Sequence, residues 1–267
     1  MAAVWGSVSC GTRLSQPDLA VEDAMRLRRL IYFHFALAQL SIVGGMLLIY
    51  IRHRRWRRHY LLVSYNEKGL HLNPPGIRMP SARVYRSSLA GLAQAKLPPA
   101  GDTPTLVYPM FMLSGHSSGA KLEQALQDAY RAQGCAEPDF IYQPVLGASP
   151  WLARAATKLI REHLSTHPEA GVLVVAHGSQ LPEPPPEPQL FCRRLRSQLP
   201  GTEIALGYFS QSPAAAEVLQ GMQSQHILLL PFLLTEGVHT ARDLPTEQDA
   251  AACGKTLTRL PVVANLL

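Results

Sequence analysis

From about residue 80 the chain alternates short apolar runs with stretches whose apolar positions recur every three or four residues. The runs ARVYR (82–86), TLVYPMFML (105–113), DFIYQPVL (139–146), GVLVVAH (171–177), EIALGYF (203–209), HILLLPFLL (226–234) and TRLPVVANL (258–266) predict strands. Between them the spacing predicts helices over 88–96, 120–133, 150–164 and 188–199, with a further helix opened by Pro213. In 120–133 the apolar positions 122, 125, 126 and 129 share one helical face. Pro150 suits the first position of its helix, where a missing N–H costs nothing. Strands that are apolar almost throughout, joined by crossovers of helix length, predict an α/β fold on parallel sheets with helices on both faces.

The pattern also repeats. VYPMFMLSGHSSG (107–119) aligns with LLPFLLTEGVHTA (229–241), placing Pro109 over Pro231 and Gly115 over Gly237. RVYRSSLAGLAQA (83–95) aligns loosely with LGYFSQSPAAAEV (206–218), and IYQPVLG (141–147) with LPVVANL (260–266). Two similar parallel-sheet α/β units follow: a degenerate one over 61–165 and a complete one over 171–267. The second opens with AHGS; by spacing, the first has only LLIYIRH (47–53) in its place. His116 falls opposite Val238, and Ser117 opposite His239, one residue out of register.

The segment before this pattern differs in kind. Residues 30–51 run for 22 positions without Asp, Glu, Lys or Arg, and five Arg follow within 52–60. That length and flank predict a membrane-spanning helix within 30–60, preceded by a leader over 1–29. The stronger basic flank places the remainder on the cytoplasmic side, anchored to the inner membrane. A buried element of the soluble fold is the alternative. The net charge of +6 resides wholly in residues 1–60, with nine Arg against three acidic residues; residues 61–267 balance at sixteen of each sign. A folded part with no excess of basic charge argues against nucleic acid as a partner. Four widely spaced cysteines without a CxxC read as reduced or buried thiols.

Candidate chemistry gathers where strands end. His177 and His239 each stand just past an apolar strand, where ligands of open α/β sheets bind. Imidazole can take up a pyrrole-like proton or ligate a first-row divalent metal near neutral pH. Gly178 and Ser179 suit a close backbone turn over a ligand, and Gly237 with Glu236 stands beside His239. Glu236 is suited to accepting protons or helping a metal; a solvated loop carboxylate is its alternative. GHSSG (115–119) has the outline of a serine nucleophile elbow, without a clear acid and histidine in order. No P-loop or GxGxxG is present, so no nucleotide or other organic cofactor is expected. The acidic, proline-rich LPEPPPEP (181–188) reads as an extended spacer near the mouth of the crevice.

VLVVAHGSQ (172–180), the helix led by Ser-Pro at 212–220 and LLLPFLLTEGVHTARDLP (228–245) together resemble the sirohydrochlorin chelatases that insert cobalt or iron, and the type II chelatase fold. PMFMLSGH (109–116) and PVLGASPWLARAATKLI (144–160) resemble the partner strand and the "LG..P.L" segment of that family. The resemblance implies a two-half chelatase acting on sirohydrochlorin or a related acidic tetrapyrrole, with Co2+ or Fe2+ as co-substrate. His177 and His239 would handle the metal and the inner protons of the macrocycle, with Glu236 as helper. Ser179, Gly237 and Arg242 would contact the substrate, with Arg193 and Arg194 as further basic candidates. Gln180 stands where the family usually has Arg, and the first half lacks its HGS. Those departures keep open a protein of the same fold that binds metal or tetrapyrrole without turnover.

Overall fold

The computed structural model describes residues 30, 32–48, 58–179, 184–235 and 244–266. The chain divides into two compact units, Met1–Arg55 and Trp56–Leu267. In the first, a helix (α1) covers 32–48 with Tyr32, Phe33, Phe35, Leu40 and Met46 exposed. Among the described residues no helix is long and apolar enough to cross a membrane, so the expected span is not found there. The leader over 1–29 and most of the basic flank lie outside the described residues.

The second unit holds two four-stranded sheets of identical order. One runs β2 (Val84–Ser88), β1 (Tyr60–Ser64), β3 (Thr105–Met110), β4 (Phe140–Tyr142). The other runs β6 (Ile204–Tyr208), β5 (Gly171–Ala176), β7 (His226–Phe232), β8 (Thr256–Arg259). Every ladder is parallel. The helices are α2 (Ala120–Ala132), α3 (Pro150–Leu164), α4 (Glu187–Gln198), α5 (Ala215–Gly221) and α6 (Glu247–Ala252). Ser149 caps α3 by accepting the Trp151 N–H at 3.3 Å, with Pro150 following as expected.

Side chains alternate along each strand, and that alternation sorts the core. Tyr60 and Leu62 of one sheet, and Val172, Val174 and Ala176 of the other, point into a common cluster. Between them lie Leu152, Ala156 and Ile160 of α3 and Phe191, Cys192 and Leu195 of α4. The last helix of the first half and the first helix of the second thus form a middle layer shared by both sheets. The outer faces are covered separately, by α2 over Leu61 and Val63, and by α5 and α6 over Leu173 and Val175.

Three expectations need correction. The helix over 88–96 is a turn with a single 3-10 piece, Leu92–Gln94. Ser88 Oγ takes the Gly91 N–H at 3.1 Å, a local bond that competes with the helical ladder. The final strand ends at Arg259, ahead of Pro261, and Val263–Leu266 form a 3-10 turn. Pro261 has no N–H to offer a ladder. The first strand of the degenerate unit is β1 itself. Its five-residue run between His59 and Tyr65 is too short to stand out beside the long apolar segment before it.

The ladders also reset the repeat. Val63 pairs with Pro109 and Val175 with Pro231, so β1 answers β5, and the first-half counterpart of His177 is Tyr65 rather than anything in 47–53. Tyr142 pairs with Val107 and Arg259 with Leu229, which sets Pro144 against Pro261, two residues from the expected alignment. Val84 pairs with Tyr60 and Ile204 with Val172, which sets Leu89 against Phe209, three residues away from it. Two connections also differ between the halves, that after β1 and that after β2, where the 3-10 turn Leu92–Gln94 stands in place of α5. Where α4 follows β5, β1 is followed by an irregular loop with 3-10 turns at Glu67–Gly69 and Ser81–Arg83. Arg86 holds that loop, donating to the carbonyls of Leu70 at 2.9 Å and Leu72 at 2.7 Å and to Asn73 Oδ1.

Candidate functional site

In a parallel sheet whose connections leave to opposite sides, a crevice opens beyond the C-terminal strand ends at the point of divergence. Here those points lie between β1 and β3 and between β5 and β7. A single cleft of about 750 Å³ is lined from both: Tyr65 and Asn66 after β1, residues 111–118 after β3, 177–179 after β5 and 233–235 after β7. That volume falls within the roughly 300–1,000 Å³ typical of small-ligand sites.

The second half contributes His177 on a tightly built turn. Gly178 has φ +85°, and a Cβ there would meet Gln211 Cβ at 2.8 Å. Only glycine fits both constraints. The β6–α5 loop braces the turn from behind. Ser210 donates to the His177 carbonyl through Oγ at 2.8 Å and through its N–H at 3.1 Å. Ser179 N–H donates to Gln211 Oε1 at 2.9 Å. The exposed His177 ring stands edge-on to Phe209, with centroids 6.2 Å apart. The backbone of this histidine is therefore fixed while its ring reaches the cleft. Glu236, Gly237, His239 and Arg242 lie outside the described residues, as does Gln180.

The first half contributes two side chains that spacing alone undervalues. Tyr65 is 58% exposed in the cleft, with its ring edge-on to Phe111 at 6.3 Å. His116 also lines it, from the β3–α2 loop. Ser118 folds this loop on itself: its Oγ accepts the Gly115 N–H at 3.0 Å and lies 3.2 Å from the Leu113 carbonyl. Glu187, in the first turn of α4, is an acidic residue only 4% exposed. It accepts the Ser114 N–H at 3.2 Å and so ties the first-half loop to the second half. No spacing rule singles out Tyr65; only the β1/β5 equivalence reveals it. The one-residue offset of His116 from His239 hides its place in the cleft from the repeat alone.

Thr235 borders both this cleft and an adjoining hollow of about 480 Å³ that carries Lys68, His71, Asn73 and Asn265. Of the other basic candidates, Arg194 is committed to the Ala148 carbonyl at 2.7 Å. Ser117 lines the cleft but has no hydrogen bond to a described histidine or carboxylate, and it sits seven positions past β3 rather than on a strand-to-helix elbow. The serine-hydrolase outline is not matched by this geometry. Burial pushes the Cys192 thiol up to about 12, against a smaller opposing effect of Arg196, which leaves it an inert core group. Among the described residues no group of three or more His, Cys, Asp or Glu is placed to hold a metal ion.

Residues 171–259 match the family model described as CbiX. A comparison with curated protein sequences found no match. Among solved structures, CbiX, described as the terminal enzyme for biosynthesis of siroheme in denitrifying bacteria, is similar with a TM-score of 0.56 at 23% identity, over 78% of this chain and 92% of that one. SirB from Bacillus subtilis with Fe3+ gives 0.55 at 15% identity over 78% and 92%. The cobalt complex of the sirohydrochlorin chelatase SirB from Bacillus subtilis subspecies spizizenii gives 0.52 at 14% identity over 78% and 91%. At these identities the likeness establishes the fold: two parallel α/β halves in the chelatase arrangement.

Proposed function

We propose that the protein is a metal chelatase that inserts Co2+ or Fe2+ into sirohydrochlorin or a closely related acidic tetrapyrrole. The observation that carries this reading is the position of His177. It stands on a braced glycine turn after β5, in a cleft at the C-terminal strand ends, inside the segment that matches the CbiX model.

The chemistry asks little beyond such groups. Two pyrrole N–H protons must leave as the divalent ion enters, so charge balances without any change of oxidation state and without a nucleotide. His177 takes one proton and hands it to solvent, which its exposed ring allows. His239 takes the other or meets the incoming ion, and Glu236 assists it. The carboxylates of the macrocycle meet Lys68 and His71 in the adjoining hollow, with Arg242 as a further basic partner.

The test is an absorbance time course of sirohydrochlorin with each metal, without ATP, corrected for spontaneous insertion. His177→Ala is expected to slow insertion by roughly 100-fold or more, the usual contribution of a positioned acid–base group. Its unfolding midpoint should stay near that of the parent, because an exposed side chain contributes little to packing. A fully active His177→Ala/His239→Ala double variant would refute the assignment. Binding of the macrocycle without accelerated metallation would instead identify a non-catalytic binder, the reading that Gln180 and the absent first-half HGS favour.

A further inference from the structure

The first half carries no histidine turn after β1 but still lines the cleft. The ladders place Tyr65 where the second half has His177, since Val63 and Val175 pair with the corresponding prolines Pro109 and Pro231. Both side chains line the same cleft, each edge-on to a phenylalanine, Tyr65 to Phe111 and His177 to Phe209. From the same half, His116 enters the cleft on a loop tied down by Ser118 and by the buried Glu187.

We infer that the first half serves as a substrate-holding wall, on which Tyr65 stacks against one face of the planar macrocycle while His116 meets its edge. This rests on the chelatase reading and adds to it a division of labour: the first half holds the face of the macrocycle, and the second half moves protons. Three observations support the wall. A tyrosine ring left 58% exposed beside a cleft is poorly placed for core packing and well placed for a flat aromatic ligand. The His116 side chain is exposed at the cleft, within reach of a ligand carboxylate. Glu187 places a side-chain oxygen in an almost wholly buried position, where it accepts the Ser114 N–H and fixes the loop. A polar group buried in this way is costly unless it is hydrogen-bonded, and here that bond joins the two halves.

The distinguishing experiment separates holding from turnover. Uroporphyrin, a planar octacarboxylate porphyrin, is titrated into the full chain by fluorescence quenching, and metallation of sirohydrochlorin is followed in parallel. Tyr65→Ala is expected to raise the uroporphyrin Kd by about tenfold, in keeping with stacking on an aromatic platform. It should raise KM for sirohydrochlorin with kcat nearly unchanged. Tyr65→Phe, which keeps the ring, should restore both. His116→Ala should raise Kd by about threefold, an effect that diminishes in high salt, as expected for an edge contact to carboxylates. Glu187→Gln should raise Kd in the presence of His116 and add nothing in the His116→Ala background, marking it as a positioning residue.

Parental Kd values in both Tyr65→Ala and His116→Ala would overturn the wall while leaving the chelatase reading intact. So would a fall in kcat with Kd unmoved. A parent chain that neither binds uroporphyrin nor metallates sirohydrochlorin would overturn both.

Discussion

Gly178 shows how much a single residue position can hold. Its φ of +85° and the 2.8 Å approach that a Cβ would make to Gln211 leave no room for another side chain. Gly178→Ala is expected to cost about 1–3 kcal/mol of stability, the range for a non-glycine residue forced into such a conformation. It should also displace the His177 ring and lower metallation. A urea melt together with the insertion assay checks both, and an unchanged midpoint would refute the steric argument. That a glycine follows the histidine was plain from GVLVVAHGSQ; that its turn leans on Ser210 and Gln211, 33 residues away, was not. The reverse holds at Tyr65, where the residue type announces nothing and only its place opposite His177 gives it meaning.

At the scale of elements, turns decide more than strands do. Glu203, immediately before β6, holds the turn between α5 and β7, accepting the N–H of Gln223 at 2.9 Å and of Ser224 at 2.8 Å. Burial works against its ionisation, but these backbone donors prevail, and its pKa lies below the ordinary 4.5. The stabilisation is therefore complete above the unfolded-state value and is lost as pH falls through the lower folded-state value. Glu203→Gln should cost about 1 kcal/mol at pH 7, a charge-assisted bond discounted for partial exposure. The gap between parent and variant should close as melts are taken below pH 4.5. A gap independent of pH would refute this account. The same dependence on local bonding explains the absent helix over 88–96, where apolar spacing was right but Ser88 captured the Gly91 N–H.

At the scale of the molecule, α3 and α4 make two sequence repeats into one folding unit. Both helices are packed between the sheets, with Phe191 against Phe232 at a centroid distance of 4.9 Å. Phe191→Ala should cost about 3–5 kcal/mol, as large aromatic truncations in cores do. Because the layer is shared, the loss should appear in both halves at once. Hydrogen exchange is expected to accelerate together at β1 and β5, within a single unfolding transition. Protection that falls in β5 and holds in β1 would show that the halves unfold independently. The sharing also gives the cleft its character, since both sets of strand ends reach it only because one helix layer holds the two sheets in place.

The sequence by itself determined the α/β class, the parallel strands, helices α2, α3 and α4, and the β3/β7 repeat, because these rest on periodicities that a chain must obey locally to bury its apolar face. His177 was also legible, since a histidine directly after an apolar strand already implies a strand end. Only the tertiary structure decided which first-half residue answers it, because register is set by ladder pairing between strands, and β1 has too few residues to declare its own. Only it brought Tyr65, His116 and His177 to one cleft, and only it made Glu187 a buried tie rather than one more acidic residue in a proline-rich spacer. Those are relations between segments far apart in the chain, and no local pattern encodes a contact that exists only once two sheets share a core.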